Sequence, residues 1–210
     1  MGEFSVVVLS LAGCVFTASA TAKLRGRQAH RSFRDGLGET KLIPLRLLPT
    51  VAAVLSAAEV VIAAGLVLGA GMTVAMAEGA ALLAESALAA AAVLTAVLAI
   101  GVAVVVRRGT RARCACFGSG AVRQLGRVHL ARNLCLLTVI CAGLAGIPLA
   151  RGHATTAGAV LAAPAGAVAA LLFIRWDDLV GLFLPIAGAP APAASHTPTP
   201  TVRQLADGGK

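Results

Sequence analysis

Residues 79–118 read GAALLAESALAAAAVLTAVLAIGVAVVVRRGTRARCACFG. From 79 to 106 the one charged side chain is Glu85, and nearly everything else is Ala, Leu or Val. A helix rises about 1.5 Å per residue, so about 20 apolar residues cross the hydrocarbon core of a bilayer. This run is long enough to be a transmembrane helix. Four arginines follow within residues 107–113, and directly after them comes Cys114-Ala115-Cys116-Phe117-Gly118.

Working outward, four further stretches meet or approach the spanning length. Residues 4–22 form the first and 45–71 the second, with Pro44 and Pro49 at its start, where a missing N–H costs least. The run at 79–106 is third and 128–149 is fourth. Residues 157–174 are the weakest candidate, being short and carrying Pro164. Apolar character resumes at 179–184 beyond Arg175-Trp176-Asp177-Asp178, a pattern that puts Trp176 at headgroup depth. From Pro185 onward, Pro alternates with Ala, Ser and Thr, a composition that cannot offset its ordering entropy by burial. The expected architecture is all-α: a polytopic helical bundle with a four-helix core over residues 1–150, an additional transmembrane or interfacial segment over 151–184, and a disordered tail over 185–210.

The whole composition agrees. Of 210 residues, 58% are apolar and 13% charged, against about 45–50% and about 25% in soluble domains. The net charge of +9 does not indicate nucleic-acid binding. Fourteen of the 18 Lys and Arg lie in two clusters, 23–46 and 107–132, and few aromatic rings are available to stack on bases. The clusters are a topology signal. The first connection carries Lys23, Arg25, Arg27, Arg31, Arg34 and Lys41, and the third carries Arg107, Arg108, Arg111, Arg113, Arg123 and Arg127. The second, around 72–78, has no basic residue, and the fourth has only Arg151. By the positive-inside rule, connections one and three are cytoplasmic. In a bacterial plasma membrane the N-terminus is then outside and the tail inside. Leu11-Ala12-Gly13-Cys14 and Ala18-Ser19-Ala20 look like processing sites, but residues 1–10 carry only Glu3 where a secretory signal opens with positive charge. A retained first helix is the expectation.

Chemistry concentrates at a few positions. Of five cysteines, Cys14 and Cys141 suit small apolar filler inside helices. Cys135 lies two turns into the fourth helix, on the side where the loop enters. Cys114 and Cys116 stand outside the hydrocarbon beside Arg107, Arg108, Arg111 and Arg113. Nearby positive charge favours the thiolate, the species that attacks disulfides. A bridge between positions i and i+2 closes a very small ring and is easily reduced, a property of reactive rather than structural disulfides. Phe117 would cover the sulfurs on one side, and Gly118 lets the backbone turn. Two ordinary loop thiols are the plainer alternative. A zinc site lacks ligands, with only His129 near, and the C-x-x-C-H of haem attachment is absent.

Glu59 lies near the middle of the second span, where an ionised carboxylate is expensive. Two readings stay open: a neutral acid hydrogen-bonded to a neighbouring helix, or a proton relay for thiol chemistry. Arg132 can snorkel to the cytoplasmic surface, while Asn133 can bond across helices or steady the cysteine loop. No cofactor is identified, and a quinone pocket is not readable from periodicity.

The Cys114-Ala115-Cys116-Phe117-Gly118 motif after a basic turn, followed by Leu130-Ala131-Arg132-Asn133-Leu134, resembles the methylamine utilisation protein MauE family, among the DoxX-like and vitamin K epoxide reductase-like small membrane proteins. The likeness covers roughly residues 4–150, including Phe33, Gly36-Leu37 and the Glu59 and Gly65 pair. It implies Cys114 and Cys116 as a redox pair, Glu59, Arg132 and Asn133 as supporting positions, and a role in maturing, processing or transporting the disulfide-rich small subunit of methylamine dehydrogenase. Ser56 departs from the family, which often has a proline three residues before the acid, and so do the fifth segment and the tail.

The expected function is therefore thiol–disulfide exchange with a thioredoxin-like or exported disulfide-containing partner, Cys135 being the one further sulfur available as a relay. No hydrolase or transferase signature is present. A different class, a non-enzymatic scaffold or assembly factor, would use the basic loops to hold anionic lipid or a cytoplasmic partner. A transporter would show inverted repeats and broken helices, and no internal repeat is evident.

Overall fold

The computed structural model describes residues 2–75, 77–109, 113–114, 123–124, 126–149 and 156–183. Five helices are long and apolar enough to cross a membrane: α1 (Glu3–Leu24), α3 (Leu48–Val74), α4 (Ala80–Arg107), α5 (Arg127–Leu149) and α6 (Thr156–Ile174). Two shorter helices, α2 (Arg27–Glu39) and α7 (Trp176–Phe183), lie at the basic end of the bundle. The expected tail over 185–210 falls outside the described residues.

Helix α1 is the hub. It packs most extensively against α6 and α3, and also against α5, while α4 joins α3 to α5 and closes a four-helix ring. Some 61% of its apolar stretch is buried, against 22–33% for the other four spans. Residues Val8, Leu9 and Ala12 of α1 meet Leu66 of α3, Leu88 of α4 and Ile140 of α5 in one core. The fifth span is therefore integral to the packing: α6 lies along α1, and Gly166 makes the approach possible. A Cβ there would lie 2.7 Å from the Cβ of Ser10.

Side-chain size is sorted between inside and outside. Ala52, Ala63, Ala84, Ala87 and Ala91 are buried, whereas Val61, Leu68, Leu82 and Val93 of the same helices are exposed. Lipid does not penalise an exposed Val or Leu, so helix association relies on close backbone contact, which small residues allow. At the far end of the α3–α4 pair, a Cβ on Gly69 would meet the Ala84 Cα at 3.3 Å. The reversal into α4 uses Gly79 at φ +78°, a left-handed conformation that favours glycine.

Two expectations are corrected at the basic end. Residues 27–39 are a helix, not a loop. Arg27 and Arg31 of α2 are exposed while Phe33 is buried against the bundle, the arrangement of an interfacial amphipathic helix. Lys23 is not a loop charge either: it lies in the last turn of α1 and is 3% exposed. Beyond α4, β1 (Arg113–Cys114) and β2 (Arg123–Gln124) form a short antiparallel ribbon in which Cys114 is opposite Arg123, and β1 runs beside α2. At the other edge, Trp176 stacks on Phe173 with ring centroids 5.8 Å apart, joining α7 to α6.

Candidate functional site

Ser19 and Lys23 are one helical turn apart, so their side chains share a face of α1. That face meets Glu59 of α3. The Lys23 ammonium is ion-paired with Glu59 Oε1 and donates to Ser19 Oγ at 3.1 Å, and the Ser19 hydroxyl donates to Glu59 Oε2 at 3.2 Å. The result is a closed triangle of hydrogen bonds. Above it, the Phe33 ring of α2 presents its face to the ammonium, 4.6 Å from Nζ to the centroid. A buried ammonium has three donors to satisfy; Ser19 and Glu59 accept two, and the π face of Phe33 offsets lost hydration on the remaining side. Lys23 and Glu59 are both 3% exposed.

The cost of Glu59 in the membrane is thus met by a cation from the neighbouring helix. In this geometry both carboxyl oxygens of Glu59 have a partner, Ser19 on one and Lys23 on the other. Sequence reasoning missed Lys23 by assigning it to topology. The available signal was the Ser19–Lys23 spacing on the helix before the acid: a mid-span carboxylate demands a donor within reach. Ser56, in the place of the family's frequent proline, donates back to the Ala52 carbonyl at 2.9 Å and stays within α3.

Beside the triangle lies a cavity of about 330 Å³. Val15 and Phe16 of α1, Gly36 and Leu37 of α2, Val51 and Leu55 of α3, and Leu98, Gly101 and Val102 of α4 give it an apolar wall. Its polar end holds Lys23, Glu59 and Thr95, with His129, Arg132 and Asn133 arriving from the first two turns of α5. Arg132 is 4% exposed and lines the same cavity as Lys23, so it reaches into the bundle rather than snorkelling to the surface.

The structure therefore brings together Glu59, Arg132 and Asn133, and adds Lys23, Ser19 and Phe33. Cys135 does not join them. It is exposed on the outer side of α5, while Asn133 and Leu136 line the cavity. Cys141 is likewise exposed, and Cys14 is half-buried against the core. Cys114 is described through its backbone in β1; Cys116, Phe117 and Gly118 lie outside the described residues. Among the described residues no group of His, Cys, Asp or Glu is placed to hold a metal ion.

Five apolar spans, a buried Lys23–Glu59–Ser19 triangle between two of them and a basic end carrying an amphipathic helix define a multi-pass membrane protein. The chain belongs to the MauE family: the model of methylamine utilisation protein MauE matches residues 1–146, which ends within α5 and leaves α6 and α7 beyond it. No curated protein and no solved structure matches the chain.

Proposed function

We propose that the protein is a thiol–disulfide membrane protein whose Cys114 and Cys116 act on an exported disulfide-containing partner. The observation that carries this reading is the position of β1: the strand bearing Cys114 runs beside α2, the helix whose Phe33 closes the Lys23–Glu59 site. In the oxidising direction, a partner thiolate attacks the Cys114–Cys116 disulfide and forms a mixed disulfide. The partner's second thiolate then displaces it. The partner gains a disulfide and the C-x-C motif is left as a dithiol, holding two electrons and two protons. A thioredoxin-like protein in its disulfide form takes these to complete the cycle. The arginines upstream favour the thiolate form of each sulfur. Glu59 supports proton exchange, since a serine hydroxyl bridging an ammonium and a carboxylate passes a proton with little heavy-atom movement.

On this reading residues 1–150 form the working core, and the charge distribution supports a cytoplasmic cysteine loop and tail in a bacterial plasma membrane, where the partner is met before its export. The test is thiol trapping in native membranes combined with Cys114→Ser and Cys116→Ser. Interconversion of reduced and oxidised forms, and loss of partner maturation in either variant, are the expected results. Full maturation with both cysteines replaced would refute the redox role.

A second reading rests on the exposed Arg27 and Arg31 of α2: a scaffold that binds anionic headgroups through this helix. It requires that replacing these arginines be harmful and replacing the cysteines harmless.

A further inference from the structure

The geometry points to the cavity under α2 as a binding site, entered from the lipid, for a membrane-soluble molecule with one apolar chain and a head of hydrogen-bond-accepting oxygens. That chemistry is shared by an isoprenoid quinone and a free fatty acid. The inference stands apart from the cysteine reading, because none of its residues belongs to the C-x-C motif.

Three observations carry it. The first is the way in. Helices α3 and α4 approach closely at the end marked by Gly69 and Ala84, where an added Cβ would meet backbone. Toward the basic end the space between them is the cavity, lined by Leu55 on one side and Val102 on the other. Val97 of α4 lines the cavity and is also 54% exposed on the apolar outer surface. A way in beside Val97 faces acyl chains rather than water, and a molecule entering there must be lipid-soluble.

The second is size. About 330 Å³ is near the lower limit of pockets that enclose drug-sized ligands, roughly 300–1,000 Å³. A ring or carboxyl head with a short length of one chain fits, whereas the glycerol and paired chains of a phospholipid do not. The third is the polar end. Arg132, more than nine-tenths buried, brings its guanidinium to this wall, and the Asn133 amide lines it as well. Charged donors in a low-dielectric site form strong hydrogen bonds to acceptor oxygens.

Gly101 offers a direct test. It lines the cavity, and a Cβ added there meets nothing within 4 Å, so Gly101→Leu adds bulk to the cavity wall from a position with room at its Cβ. The full chain in lipid nanodiscs is photolabelled with two probes, a benzoquinone and a fatty acid, each bearing a diazirine on its chain, and the labelled peptides are mapped. Labels on α3 and α4 around Leu55 and Val102 from at least one probe are expected, and the preferred probe identifies the source. In Gly101→Leu the labelling should fall roughly tenfold, as for a lost anchoring contact, while the thermal unfolding temperature stays unchanged. Absence of cavity labels from both probes, or labelling undiminished in a folded Gly101→Leu variant, would overturn the assignment.

Discussion

The ammonium of Lys23, in the last turn of α1, is ion-paired with the carboxylate of Glu59, midway along α3, and both are almost completely buried. The pair joins the central helix to the cavity wall. Removing one partner strands the other charge, at a cost of about 3–5 kcal/mol, whereas replacing both by apolar or neutral groups of similar volume can be nearly neutral. Lys23→Met and Glu59→Gln should each destabilise the bundle by about that amount, and the double variant by less than either. Reversible unfolding of all three in mixed micelles, read as a double-mutant cycle, checks this. Simple additivity would mean that the two groups do not act as a pair.

Phe33 joins α2 to the same site. Its ring lies over Lys23 and is 5% exposed. Truncation to Ala removes a cation–π contact of about 0.5–2 kcal/mol together with the burial of the ring. Amide hydrogen exchange over residues 27–39 should accelerate in Phe33→Ala, with α4 and α5 unaffected. Unchanged protection in α2 would show that Phe33 does not hold it down.

Helix α6 should be sensitive at one position. Because a Cβ on Gly166 would collide with Ser10, Gly166→Leu must push α6 away from α1. Overpacking of this kind costs about 1–3 kcal/mol, so its unfolding midpoint should drop. Gly101→Leu, which points into open space, serves as the tolerated control. Equal stability of the two variants would contradict the observed α1–α6 packing.

Thiol labelling should separate the cysteines by environment. A lipid-soluble maleimide should modify Cys135 and Cys141, which are exposed on the outer surface of α5, faster than half-buried Cys14. If the basic loops are cytoplasmic, a membrane-impermeant maleimide should reach Cys114 and Cys116 in broken cells but not in intact ones. Modification in intact cells would invert the orientation.

The five spans were legible because bilayer crossing depends on length and hydropathy, both local properties of the chain. Glu59 was legible as a position requiring explanation, since its cost follows from depth alone. The α2 helix was not, because its arginines resemble those of a basic loop until Phe33 is seen to have a place to be buried. Arg132 and Asn133 were singled out by resemblance, but their convergence with Glu59 depends on how α5 is rotated in the bundle. The same rotation turns Cys135 outward, which sequence position could not reveal.

By itself, then, the sequence determined the number of apolar spans, the basic end of the bundle and the position of the C-x-C motif between two of them, since each depends on residues adjacent in the chain. Only the tertiary structure decided that Lys23 belongs to Glu59 and that five helices enclose a cavity between them. Pairing and enclosure depend on which helix faces meet, and those faces are set by small-residue packing among segments far apart in sequence.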